Sequence, residues 1–182
     1  MKLVLLDRDG VINEDRPEGV LRFDEFRLLP GVLDALARLT RAGYKIAICT
    51  NQSAIGMGRL APATLEAIHA DLCQQVAAAG GKIDAVYFAP DAPDAPSERR
   101  KPAPGMLLEA LAQFHADAGS SFMVGDMLRD LEAAKRAGCP RILVRTGKGA
   151  ALEAQGIPPH VQPVTVVEDL PAAVAYILSA NC

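Results

Sequence analysis

No apolar run in this 182-residue sequence approaches the roughly 20 residues that span a bilayer, so membrane insertion is not expected. The opening Met1-Lys2-Leu3-Val4-Leu5-Leu6-Asp7 stops at a carboxylate and lacks a small-residue cleavage site. It reads as a buried strand, not a secretory signal. Charge of one sign is also missing. With 19 Lys and Arg against 22 Asp and Glu, the net charge is −3, and no basic face or stripe points to nucleic acid. Cysteine is scarce: Cys49, Cys73, Cys139 and Cys182 stand far apart with no Cys-x-x-Cys pair. That argues against a disulfide framework or a zinc cluster and fits reduced thiols in a cytoplasm. There is no internal repeat, and the one proline-rich stretch, residues 89–100, is too short to link domains. What remains is 50% hydrophobic and 23% charged, enough for a core, and a single domain over 1–182 is expected.

Short apolar runs alternate with segments of helical period. Strands are expected at 2–6, 44–50, 83–88, 121–124, 141–145 and 164–167. Helices are expected at 31–42, 62–79, 104–116, 129–137, 150–155 and from Pro171 onward, several stopped by glycine. Uniformly apolar strands separated by helices indicate an α/β fold: an open, doubly wound, mainly parallel sheet with helices on both faces and no separate cap domain. The segments 13–30 and 54–61 are only loop-sized inserts.

In such sheets ligands bind outside the carboxyl ends of the strands. Polar residues gather there: Asp7-Arg8-Asp9-Gly10, Thr50-Asn51-Gln52-Ser53, Arg99-Arg100-Lys101, and Gly125-Asp126 with Asp130 one helical turn on. Asp7 and Asp9, two residues apart, are expected to face one side, and Asp126 makes three carboxylates. Like charges this close need a cation between them. Hard oxygen donors suit Mg²⁺, which expects a phosphate in its shell, and Lys101, Thr50 and Asn51 suit phosphoryl oxygens. Singly, each motif has a plain explanation as a turn, a cap or a solvated loop charge. Their order at successive strand ends is what points to a metal and phosphate site. His69, His115 and His160 read as surface or partly packed residues away from those ends, and Cys49 as a buried structural thiol.

Asp7-x-Asp9-Gly10-Val11, Thr50-Asn51-Gln52, Lys101-Pro102 and Gly125-Asp126-x-x-x-Asp130 resemble the four ordered motifs of the haloacid dehalogenase superfamily. The stretches Leu6 to Asn13, Thr50 to Ser53, Arg100 to Leu107 and Met123 to Asp126 resemble its heptose bisphosphate and histidinol-phosphate phosphatases. The resemblance implies a Mg²⁺-dependent phosphatase in which Asp7 is the nucleophile that becomes an aspartyl phosphate. Asp9 would protonate the leaving alkoxide and then activate water. Metal ligands would be Asp7, the backbone carbonyl of Asp9, and Asp126, with Asp130 supporting them from behind, while Thr50 and Lys101 steady the phosphoryl oxygens. Asp15, Asn51, Gln52, Ser53, Arg100 and Lys101 would contact a small phosphorylated sugar.

Two departures stand out. Subgroup members often carry a cysteine and histidine zinc cluster before Arg-Lys-Pro. Here residues 89–99 hold neither type, so no zinc is expected and a rigid proline loop would shape the pocket instead. Met127 and Arg16-Pro17-Glu18 also differ at positions that set specificity. The substrate implied first is the 7-phosphate of heptose 1,7-bisphosphate, with histidinol phosphate as the alternative and a monomer expected. A phospho-accepting receiver module also combines Asp, Thr and Lys at strand ends, but it has no need of Asp9 two residues past the acceptor.

Overall fold

In the computed structural model, which describes residues 1–180, the strands are β1 (Leu3–Leu6), β2 (Lys45–Asn51), β3 (Ala85–Ala89), β4 (Phe122–Gly125), β5 (Arg141–Val144) and β6 (Val164–Val167). The helices are α1 (Val32–Arg41), α2 (Ser53–Gly56), α3 (Pro62–Ala78), α4 (Gly105–Gln113), α5 (Leu128–Ala137), α6 (Gly149–Gln155) and α7 (Leu170–Ser179). The sheet runs β3-β2-β1-β4-β5-β6 with every pairing parallel. This is the doubly wound arrangement expected from the alternating pattern. Cys182 lies outside the described residues. Among those described, no helix is long and apolar enough to cross a membrane.

The two-residue period of a strand explains why both faces are covered. Val4, Leu6, Ile46, Ile48 and Val124 point into one layer with apolar residues of α1, α3 and α7, such as Leu36, Leu72 and Val174. Leu3, Leu5, Ala47, Cys49 and Met123 point into the other layer, against Met106 and Leu107 of α4 and Ala133 and Ala134 of α5. The central strands β1 and β4 are apolar and buried throughout because neither of their faces meets water, while the edge strands β3 and β6 are only half-buried. α1 is amphipathic, burying Val32, Leu36 and Leu39 while keeping Arg38 and Arg41 near its negative end. α7 starts at Asp169, whose Oδ1 accepts the Ala172 amide at 2.9 Å.

This topology fixes the site. The chain builds outward from β1 through β2 to β3, then returns to the other side of β1 to make β4. The order therefore reverses between β1 and β4, where a crevice opens at the carboxyl ends. Leu6 is in register with Val124, and Asp7 N–H continues the ladder to Val124 O at 3.0 Å. Asp7 and Asp126 consequently leave neighbouring strands side by side.

Candidate active site

Lys101 is the hub of the crevice. Its ammonium is buried, 2.6 Å from Asp130 Oδ1 and 2.9 Å from Asp7 Oδ1. Burial works against this charge, but Asp130 and Asp7 outweigh it and hold the amine above its ordinary pKa. The loop carrying it is pinned to β2. Asn51 Nδ2 donates to Lys101 O at 2.9 Å, and Lys101 N donates to Asn51 Oδ1 at 3.0 Å. Asn51 therefore aims Lys101, a role the sequence reading did not assign to it.

Asp7 Oδ1 also accepts the Arg8 amide at 2.8 Å, while its Oδ2 accepts no hydrogen bond among the described residues. Asp130 is fully committed: Oδ1 to Lys101, and Oδ2 to the amides of Asp126 at 3.2 Å and Met127 at 3.0 Å. It caps the start of α5 and lies against Asp126 and Lys101. Gly125 makes room for it, since an added Cβ there would strike the Asp130 side chain. Gly10 turns the chain at φ +85° against Asp126, where any Cβ would collide with the carboxylate.

The expected trio of Asp7, Asp9 and Asp126 is not what the chain assembles. One oxygen each from Asp7, Asp126 and Asp130 lie within 4.8 Å of one another. The Asp9 carboxylate turns away to a separate set of donors: Arg8 Nη2 at 2.9 Å and Asn13 Nδ2 at 2.8 Å on Oδ1, and Gln52 Nε2 at 3.0 Å on Oδ2. The reason is the loop after β1, where Gly10 N–H bonds Asn13 O at 2.8 Å and curls the chain back on itself. Burial pushes the Asp9 carboxyl up, but Arg8 and the Asn13 and Gln52 amides outweigh that and hold it below its ordinary value.

The cluster fits Mg²⁺. Asp126 Oδ2 accepts the Lys148 amide at 2.9 Å, but Oδ1 is buried without a hydrogen-bond partner. A bare buried carboxylate oxygen is costly. Burial first, then the neighbouring carboxylates, push the Asp126 carboxyl up. Asp7 is raised by burial and Asp130, with Lys101 offsetting part of it. A hard cation relieves both effects. With Asp130 already engaged, Asp7 and Asp126 are the two side chains left to hold it, a number that suits Mg²⁺.

Other expected residues are spread around this centre. Thr50 is buried, its hydroxyl accepting Gln52 Nε2 at 2.9 Å, so Gln52 bridges Thr50 and Asp9. Ser53 opens α2. Asp15 is 3.7 Å from Lys148 Nζ across the crevice mouth. Arg100 Nη1 donates to Asp91 O at 3.1 Å, which ties it to the proline-rich loop. Cys49 is buried, and burial pushes its thiol up to about 12, so it is inert.

Four residues escaped the sequence reading. Lys148 borders a cleft of about 330 Å³ that also touches Asp126, Met127 and Leu152. Arg129 lies close enough to lower the Asp7 carboxyl, and its Nε is buried without a partner. Arg8 is fully buried, and its Nη1 lies 3.0 Å from Nε2 of His69, which is itself buried rather than on the surface. The only sequence signal for Lys148 was its position four residues past the end of an apolar run. A separate cavity of about 370 Å³ lies at the opposite ends of the strands, against Phe122, Arg141 and Thr165, and touches none of these groups.

Comparison with known proteins agrees with this geometry. Residues 98–173 match a family model described as HAD-hydrolase-like. A D-glycero-beta-D-manno-heptose-1,7-bisphosphate 7-phosphatase of Bordetella bronchiseptica is 43% identical over 178 residues, covering 98% of this chain and 98% of the relative. The crystal structure of D,D-heptose 1,7-bisphosphate phosphatase from B. bronchiseptica, complexed with magnesium and phosphate, matches with TM-score 0.94 and 42% identity over 99% of each chain. The corresponding enzyme from Burkholderia thailandensis matches with TM-score 0.76 and 40% identity, over 98% of this chain and 99% of that one. Because identity at this level extends over the whole sequence, motif loops included, the chain belongs to the haloacid dehalogenase-like phosphatases, in the family that holds these heptose bisphosphate phosphatases.

Proposed function

We propose that this phosphatase removes the 7-phosphate of D-glycero-β-D-manno-heptose 1,7-bisphosphate by way of a phosphorylated Asp7. The observation that carries the chemistry is the buried Asp7 and Asp126 pair with Lys101 against it and one Asp126 oxygen unsatisfied. The substrate rests on the names borne by the full-length relatives, to which this chain is similar throughout.

In this reading the carboxylates of Asp7 and Asp126 and the backbone carbonyl of Asp9 hold Mg²⁺, which neutralises charge on the phosphoryl oxygens and orients them. Lys101 shares that neutralisation and fixes Asp7 Oδ1, leaving Oδ2 to attack phosphorus. Thr50, at the end of β2, steadies a phosphoryl oxygen. Asp9 gives a proton to the departing sugar oxygen, then takes one from the water that hydrolyses the aspartyl phosphate. Free Asp9, held as a carboxylate by Arg8, is ready for the second task. The first requires a proton taken up as the anionic phosphate enters and raises the carboxyl.

In this reading Arg100, Ser53, Asp15 and Lys148 meet the second phosphate and the sugar hydroxyls at the entrance to the crevice. The loops, with no cap, leave this entrance open. The chain acts as one unit and as a monomer on a small molecule in the cytoplasm, without nucleic acid. Among the described residues, the large exposed apolar side chains, Met1, Phe23, Met57, Leu108 and Tyr176, stand far apart in the sequence.

Phosphate release from heptose 1,7-bisphosphate, other bisphosphorylated sugars and histidinol phosphate tests the substrate. Highest kcat/KM is expected on the heptose bisphosphate with product retaining the 1-phosphate. Equal or greater turnover of histidinol phosphate overturns the assignment. EDTA should abolish activity and Mg²⁺ restore it, while a zinc-selective chelator leaves it unchanged.

A further inference from the structure

Arg8 sits between the two aspartates of the first motif, and its side chain is fully buried. A buried guanidinium is expensive unless its donors are answered. Two of them are. Nη2 meets Asp9 Oδ1 at 2.9 Å, and Nη1 meets His69 Nε2 at 3.0 Å. The Phe26 ring lies 5.4 Å from the guanidinium carbon and closes the third side, and Nε is left without a partner. Arginine can only donate, so His69 Nε2 accepts, and the imidazole is neutral with its proton on Nδ1.

His69 belongs to the buried face of α3, with Leu65, Ile68, Leu72 and Val76. A histidine among aliphatic residues adds nothing to that packing that leucine would not. Its ring is tilted on Phe88, with centroids 6.4 Å apart, and its Nε2 is spent on Arg8.

We propose that His69 is a positioning residue: through the Arg8 guanidinium it fixes the carboxylate of Asp9 for its proton transfers. Asn13 and Gln52 also hold Asp9, but both are on segments adjacent to it in the crevice. The Arg8 and His69 link anchors it to α3, 61 residues along the chain. The burial that pushes His69 down to about 4, with Arg8 adding to it, keeps the ring an acceptor throughout the neutral range. The inference rests on Asp9 being the acid and base of the proposed reaction.

The test compares kcat/KM, which reports transfer to Asp7 and not the later hydrolysis, on an alkyl phosphate and on p-nitrophenyl phosphate. The nitrophenolate leaves without a proton, so a misplaced acid slows only the alkyl ester. His69→Leu should lower kcat/KM on the alkyl phosphate roughly tenfold, a loss that misplacement by a fraction of an ångström produces, and on the aryl ester less than twofold. His69→Gln, whose Oε1 can take the Arg8 proton, should recover most of the loss. Arg8→Lys, which cannot span both partners, should behave like His69→Leu and serves if that variant does not fold. Equal losses on both esters, or no recovery with glutamine, overturn the proposal. Asp9→Asn separates the two readings. If it is silent on the alkyl ester, the acid assignment falls and the inference with it. If it is inactive there while His69→Leu is not leaving-group dependent, only the inference falls.

Discussion

Single side chains in this crevice do two kinds of work, and substitution separates them. Asp7→Asn removes the attacking oxygen and should cut phosphate release roughly 10³-fold or more. It also removes one of the buried carboxylates whose repulsion raises Asp126, so the metal-free melting temperature should hold or rise. A fall of several degrees would contradict the repulsion. Lys101→Met acts in the opposite sense. It leaves Asp7 and Asp130 facing each other without their ammonium, and losing one partner of a buried pair costs about 3–5 kcal/mol, readable by urea unfolding. Charged residues at the strand ends were legible only jointly: each alone reads as a turn, a cap or a solvated loop charge, and their order at successive strand ends is what singled them out. Residues that hold those residues were not legible. Asn51 and Gln52 read as substrate donors, and the sequence held no sign that their amides also bond Lys101 and Asp9. His69 is 61 positions from Arg8, and no local spacing announces a pair that only the fold brings together.

At the scale of elements, the apolar periods placed most strands and helices within a residue or two, since each buried face needs its own repeat. The misses have local causes. β3 begins at Ala85 instead of Ile83 because Asp84 ties the approach by its side chain, with Oδ2 accepting the Ile46 amide at 3.1 Å and Oδ1 pairing with Lys45. α4 stops at Gln113, three residues short of the expected Ala116, because His115 adopts a left-handed φ of +48° that glycine would have advertised. The four-residue α2 is shorter than any window that reveals a period. Helix ends remote from the crevice supply a contrast to the site variants. Asp169→Ala deletes the cap of α7 and should cost about 1 kcal/mol in unfolding free energy with kcat unchanged. A parallel loss of turnover would mean that α7 couples to the chemistry.

For the molecule as a whole, stability and metal binding are tied through the same carboxylates. The order of the sheet reverses beside β1, which forces Asp7 and Asp126 together whether or not a cation is present. Burial first, then repulsion from neighbouring carboxylates, Asp130 on Asp7 and both Asp7 and Asp130 on Asp126, raises both carboxyls above their unfolded values. A group raised in this way binds more protons folded than unfolded. Its contribution therefore favours the fold at low pH and is lost as pH rises through the raised pKa. Mg²⁺ takes the place of those protons, so its binding should release protons and weaken as pH falls. The melting-temperature gain from a fixed Mg²⁺ concentration should accordingly be larger at pH 8 than at pH 5.5. At a hundredfold excess over Kd the gain corresponds to about 2.7 kcal/mol. Calorimetric titration in two buffers of different ionisation enthalpy would count the protons directly. Asp126→Asn should abolish both the proton release and the Mg²⁺-dependent gain, because it removes the unsatisfied oxygen that the ion answers. A gain independent of pH, or one that survives in Asp126→Asn, would place the metal somewhere other than between these two strands.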